Sequence, residues 1–173
     1  TKLVHAARQR SGAAASEAIL NDAVFTAVEG ETPNPTDSGL LFCRKLRQIF
    51  GFADTRFASP EDALSMARTG RPIVFLDDFV GSGDQFVKTW SREYGSSSPK
   101  SFAEAYATRP FTAYYLALVS TEIGARRLAQ DTPCVALQVN HIVSSAYGIS
   151  NAPRSAFVPD IDDLPRRVED LLQ

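Results

Sequence analysis

Two adjacent carboxylates end an apolar run in "IVFLDDFVGSGDQF", residues 73–86, and a Gly-Ser-Gly turn follows at 81–83. The run Ile73–Leu76 has the continuous apolar character of a strand buried on both faces, as in parallel sheets. Ligands of such sheets bind beyond the carboxyl ends of the strands, which is where Asp77 and Asp78 fall. Glycines at 81 and 83 let the chain turn tightly and aim successive N–H groups at one spot. The helix predicted to start at residue 83 adds about half a positive charge at its N-terminus. An anion cradle beside a carboxylate pair suits a molecule with a phosphate and vicinal hydroxyls, with Mg²⁺ bridging the acids and a diphosphate.

Other phosphate-binding signatures fit less well. A dinucleotide-binding G-x-G-x-x-G needs a third glycine where Phe86 stands, and no Walker G-x-x-x-x-G-K-[ST] is present. A haloacid-dehalogenase-type phosphatase would carry D-x-D after the strand. A phosphoacceptor receiver domain would end its next strand in Asp, where this chain reads "LVST".

The elements that must position these residues alternate. "SEAILNDAVFTAV" (16–28) starts on the cap Ser16 with helical spacing, and its tail reads equally as a strand. "SGLLFCRKLRQIFG" (38–51) reads as an amphipathic helix with Leu40, Leu41, Leu46, Ile49 and Phe50 inward and Arg44, Lys45 and Arg47 mostly outward. "SPEDALSMARTG" (59–70) is a helix capped by Ser59, with Pro60 first, Asp62 in its first turn and Gly70 closing it. After the strand at 73–76 come a helix over 83–95, a short helix in "FAEAYATR" and a strand over 111–119. A helix over 120–130 and a strand over 134–139 follow, with a last helix in "DDLPRRVEDLLQ". This order predicts an α/β three-layer sandwich with a mostly parallel sheet.

At 173 residues the chain is expected to form one domain over 1–173. It begins with Thr1, so it also reads as a trimmed part of something longer. Eighteen basic against 20 acidic side chains give a net charge of −2, which speaks against direct nucleic-acid binding. No stretch approaches the roughly 20 apolar residues that span a bilayer, and no signal peptide is visible, so a cytoplasmic protein without membrane contact is expected. Two cysteines, Cys43 and Cys134, suggest neither a disulfide framework nor a zinc site.

"IVFLDDFVGSGDQ" resembles the phosphoribosyl-diphosphate signature of type I phosphoribosyltransferases: four apolar residues, two acids, two apolar residues, then a small-residue loop. It is more similar still to a divergent phosphoribosyltransferase-like branch of bacterial conflict (antiphage) systems, whose loop reads DDF-x-GSG-x-Q. That branch also carries a DSG ahead of a helix with an Arg, matched by Asp37-Ser38-Gly39 and Arg44. The likeness covers roughly residues 36–145.

The resemblance implies a phosphoribosyltransferase-like, Rossmann-like fold. It implies that Asp77 and Asp78 hold the ribose hydroxyls directly or through Mg²⁺, as catalytic and metal-binding residues. It places a 5-phosphate on Gly81, Ser82 and Gly83, with Asp84 and Gln85 completing that loop, and a departing diphosphate near Asp37, Ser38 and Arg44. A carboxylate pair beside the sugar would favour an oxocarbenium-like transition state. The implied role is ribosyl transfer or cleavage in antiphage defence, beside a defence-system protein partner. A catalytically silent nucleotide sensor or docking module is the alternative, and an RNA-binding attenuator would want a basic face that the net charge does not favour.

The loop departs from Thr-Thr-Gly-Gly-Thr, and Asp84 sets a negative side chain beside the expected phosphate. At about 4 Å and an effective dielectric near 20, two like charges cost on the order of 4 kcal/mol. Either Asp84 points away or the ligand at that position is not a phosphate; Asp84 also reads as a plain first-turn acid that satisfies the helix dipole. Asp37 or Ser38 also reads as a plain helix cap and Arg44 as a surface cation. Trp90, Tyr114 and Tyr115 read as core or partner-contact aromatics, and nothing singles out the basic spot Arg126-Arg127. His5 and His141 lack ligand-like neighbours, with His141, just past a strand end, able to enter the cleft.

Overall fold

The apolar runs become strands and the capped amphipathic stretches become helices. The computed structural model describes residues 21–30 and 38–144. Its strands are β1 (Val24–Ala27), β2 (Ile73–Leu76), β3 (Phe79–Val80), β4 (Ala113–Thr121) and β5 (Val135–Val143). Its helices are α1 (Ser38–Phe50), α2 (Pro60–Arg68), α3 (Asp84–Ser91), α4 (Phe102–Thr108) and α5 (Glu122–Asp131), with a 3₁₀ turn at Asp54–Arg56. Every strand pairing is parallel: β1 with β2, β2 and β3 with β4, and β4 with β5. Since β5 pairs along most of β4, β2 and β3 lie in succession on the opposite edge of β4.

The sheet is a middle layer. On one face, Ala63, Leu64 and Ala67 of α2, Phe86 and Trp90 of α3, Phe102 and Ala105 of α4 and Leu128 of α5 pack on Val24, Ile73, Phe75, Ala113 and Tyr115. Aromatic contacts dominate there. Phe75 meets the edges of Phe86 and Phe102 with centroids 5.2 and 4.8 Å apart, and each such ring contributes about 2–3 kcal/mol on burial. The other face holds Phe25, Val74, Leu76 and Tyr114, covered by Phe42, Cys43 and Leu46 of α1. The α/β three-layer sandwich is therefore observed, with its helices divided unequally among the described residues. No helix among them is long and apolar enough to cross a membrane.

The second helix forms as its sequence dictates: the Ser59 side chain accepts the N–H of Asp62, Pro60 follows, and Gly70 takes φ +90° just beyond the end. Elsewhere the boundaries move, each for a local reason. In residues 16–28, positions 24–27 are strand β1 and 21–22 are helical, while 16–20 lie outside the described residues, as does the last expected helix. β4 runs on to Thr121 because that residue ends the strand and also caps α5, its hydroxyl accepting the N–H of Gly124. α3 stops at Ser91, not at 95, because Arg92 turns to φ −63°, ψ 137° and reaches back to β1.

The inward face expected for α1 is corrected. Leu46 does pack on the sheet, but it is joined there by Phe42 and Cys43, while Leu40, Leu41, Ile49 and Phe50 are exposed, Ile49 by 72%. Gly39 sets this rotation. A Cβ on it would lie 3.0 Å from the Val28 carbonyl, 3.1 Å from that of Leu76 and 3.2 Å from Ala27 Cβ. Only the glycine side of the helix can approach the strand ends so closely, and Phe42, Cys43 and Leu46 share that side.

Candidate functional site

β2 and β3 are one edge of β4 interrupted by Asp77-Asp78. The interruption is anchored, since the Asp77 N–H donates to the Leu116 carbonyl at 3.0 Å. The Asp78 carbonyl accepts from the N–H groups of both Leu118 and Val119, at 3.2 and 3.1 Å. The acids thus sit at the carboxyl end of the sheet, where such folds bind ligands. α1 begins beside them, Gly39 lying on the Leu76 carbonyl.

The two acids have different surroundings. Asp77 is 2% exposed, and Asp78 is half-buried. Asp77 Oδ2 accepts the Tyr115 hydroxyl at 2.9 Å in a buried contact, and Oδ1 accepts the Asp78 N–H at 2.9 Å. Burial pushes the Asp77 carboxyl up to about 7, against the opposing pull of the Tyr115 and Asp78 N–H bonds, and the Asp78 carboxylate raises it further. Burial, then the Asp77 charge, also raises the Tyr115 phenol. The Cys43 thiol on α1 is pushed up to about 12, chiefly by burial, with a smaller contribution from Asp77. Burial among Phe42, Leu46 and the sheet makes it a packing thiol held away from its thiolate form.

Beyond β3, residues 79–83, Gln85, Phe86 and Tyr115 line a pocket of about 210 Å³. Gly81, Ser82 and Gly83 provide its backbone wall, and Gly83, at φ +85°, turns the chain into α3. Phe86 stacks on Tyr115 at 4.2 Å to form the floor, and Phe79 lies half exposed at the rim. Ser82 Oγ donates to Asp84 Oδ2 at 2.8 Å and accepts the Asp84 N–H at 3.3 Å. Asp84 Oδ1 pairs with Arg127 at 3.1 Å. The acid that disturbs the loop on sequence grounds is therefore turned toward a guanidinium.

The loop is shaped by α5. Thr121 Oγ1 donates to the Gly81 carbonyl at 2.6 Å while accepting from Gly124 N–H. A Cβ on Gly124 would meet the Gly81 carbonyl at 2.4 Å, so no other residue fits there without moving the loop. Arg127 lies one turn further on and packs its Cβ and Cγ within 3.4 Å of where a Gly83 Cβ would be. Nothing in the sequence marks Thr121, Gly124 or Arg127 for this role, and Tyr115 reads there only as a buried or partner-contact aromatic. The only signal for the first three was a helix start with Thr and Gly three residues apart.

The remaining expected residues are dispersed. Gln85 lines the pocket. Ser38 opens α1 near the acids, and Arg44 is exposed on that helix, outside the pocket lining. Asp37 lies outside the described residues. At the end of β1, Glu29 receives Arg92 at 2.8 Å and the Tyr94 hydroxyl at 3.0 Å, and Arg92 also donates to the Gly30 carbonyl at 2.8 Å. This clamp ties the loop after β1 to the end of α3.

A Mg²⁺ ion held by protein ligands alone does not fit: no group of three or more His, Cys, Asp or Glu among the described residues could hold one. A Mg²⁺ ion of the kind that keeps its waters and takes one or two carboxylates beside a ligand's phosphates would find Asp77 and Asp78 at this end of the sheet, Asp77 with each oxygen already accepting one hydrogen bond.

Comparison with known proteins adds a family. The PRTase-CE family model matches residues 1–173. Among solved structures the chain is similar to the AQ2163 protein from Aquifex aeolicus, with 13% identity and a TM-score of 0.47 over 71% of this chain. The match covers 55% of that protein, so the chain spans little more than half its length. No curated protein matches the chain.

Proposed function

Since the chain belongs to the PRTase-CE family, we propose that it binds a phosphoribosyl or nucleotide-like ligand at Asp77–Gln85 and transfers or cleaves its ribosyl group. One observation carries this reading: an interrupted strand sets an acid pair directly before the Gly81–Gly83 turn that lines a pocket, at the carboxyl end of a parallel sheet, the acids themselves lying outside the pocket lining. In it, the Gly81–Gly83 amides and the α3 N-terminus receive the 5-phosphate. Asp78 accepts the ribose hydroxyls and favours positive charge developing on the sugar. Asp77 holds the Asp78 backbone and the Tyr115 ring in place. Asp77 and Asp78 are the acids that would hold a Mg²⁺ ion brought by the ligand's phosphates, and the ion would supply charge neutralisation for a departing diphosphate. The setting we infer is bacterial antiphage defence, with a defence-system protein as partner; it rests on the DDF-x-GSG-x-Q resemblance.

A second reading, a silent nucleotide sensor or docking module on the same fold, is favoured by the engagement of both Asp77 oxygens, which halves the acid pair facing a sugar. One experiment separates them. The protein is titrated with phosphoribosyl diphosphate, a nucleoside triphosphate and NAD, each with and without Mg²⁺, while melting and the release of pyrophosphate or free base are followed. A melting shift that Asp78→Asn removes, with product released, supports the transferase. The same shift without product supports the sensor. No shift with any ligand rejects both ligand-binding readings.

A further inference from the structure

The pocket wall contains no cationic side chain, and the one acid in the loop is in contact with a guanidinium from a different βα unit. We propose that Arg127 is a positioning residue for anion binding: it neutralises Asp84 and so lets the Gly81–Gly83 loop accept a phosphate. The proposal rests on the phosphate reading of that loop.

The geometry fits this role. Asp84 shares its carboxylate between Arg127 and the Ser82 hydroxyl, which keeps it beside the loop backbone. Arg127 is held in turn by Asp131 one turn along α5, and its stem lies against Gly83. Two carboxylates and one guanidinium give this group a net charge of −1. The other charged side chains on α3 and α5, Lys88, Glu122 and Arg126, stay the same in every variant below. Removing Arg127 makes the group −2 and frees Asp84 to repel an incoming phosphate. Removing Asp84 as well returns it to −1.

This arithmetic predicts an order. Affinity for ribose 5-phosphate, measured by calorimetry in low salt, should fall about tenfold in Arg127→Ala. It should recover in Arg127→Ala with Asp84→Asn and equal or exceed that of the wild type in Asp84→Asn alone. Arg127→Lys, which keeps the charge, should stay near wild type, and it carries the test if the alanine variant does not fold. The differences should shrink at 1 M salt, where screening reaches about 3 Å. A double variant no better than Arg127→Ala would show that Arg127 acts by packing alone and overturn the proposal. So would unchanged binding in Arg127→Ala, or Arg127→Lys as weak as a charge loss. If the wild type binds neither ribose 5-phosphate nor phosphoribosyl diphosphate, the phosphate reading itself fails and takes this proposal with it.

Discussion

Replacing Asp77 by Asn should make the protein more stable in mild alkali while leaving it much the same in acid. Asp77 is buried and its carboxyl is raised from 3.8 to about 7 in the folded chain. A group whose folded value lies above its unfolded one contributes stability that is full below pH 4 and lost as pH rises toward 7. A rise of about three units corresponds to roughly 4 kcal/mol, as an upper bound. Asn is nearly isosteric: its carbonyl can accept the Asp78 N–H as Oδ1 does, and its amide can donate to the Tyr115 oxygen. Urea unfolding of both proteins at intervals from about pH 3.5 to about pH 8.5 would read the difference directly. The gap in favour of Asn should open from about pH 4, widen up to about pH 7 and flatten above, at about 2–4 kcal/mol, or on the order of 10 °C in Tm. Parallel curves, or a variant that loses ground as pH rises, would show that Asp77 is ionised and well stabilised in the folded protein. The division of labour between the two acids would then be wrong.

Gly124→Ala should lose any ligand-induced melting shift and about 1–3 kcal/mol of stability, because its methyl would occupy the space of the Gly81 carbonyl; intact stability and binding would refute the close approach. Ile49→Ser should change the urea midpoint by less than about 0.5 kcal/mol, while Leu46→Ala costs about 2 or more, since Ile49 faces solvent and Leu46 packs on the sheet. The reverse order would restore the helix face expected from the sequence. Glu29→Gln should cost about 1–3 kcal/mol by thermal melting, because it leaves the Arg92 guanidinium half-buried without its carboxylate; no change would mean the clamp adds nothing.

What could be read in advance was whatever chemistry the chain keeps local. The apolar run, the acids, the glycine turn and the helix start are contiguous, so the parallel-sheet setting and the strand-end placement of the candidate residues followed from residues 73–86. The partners were not legible because parallel pairing brings them from far along the chain. Tyr115 meets Asp77 from 38 residues away, and Thr121 meets Gly81 from 40. The fate of Asp84 turned on Arg127 for the same reason. The α1 face was misread because counting apolar residues weighs Leu40 and Ile49 above Gly39, whereas the missing side chain decides which way the helix sits.

The dependence of the Gly81–Gly83 turn on α5 bears on protein engineering. Residues 79–86 are not a portable cassette: grafted onto another scaffold without Thr121, Gly124 and Arg127, they would carry the letters of the motif without its curvature. A transplant that preserves the turn has to take the following strand end and helix start along with the loop.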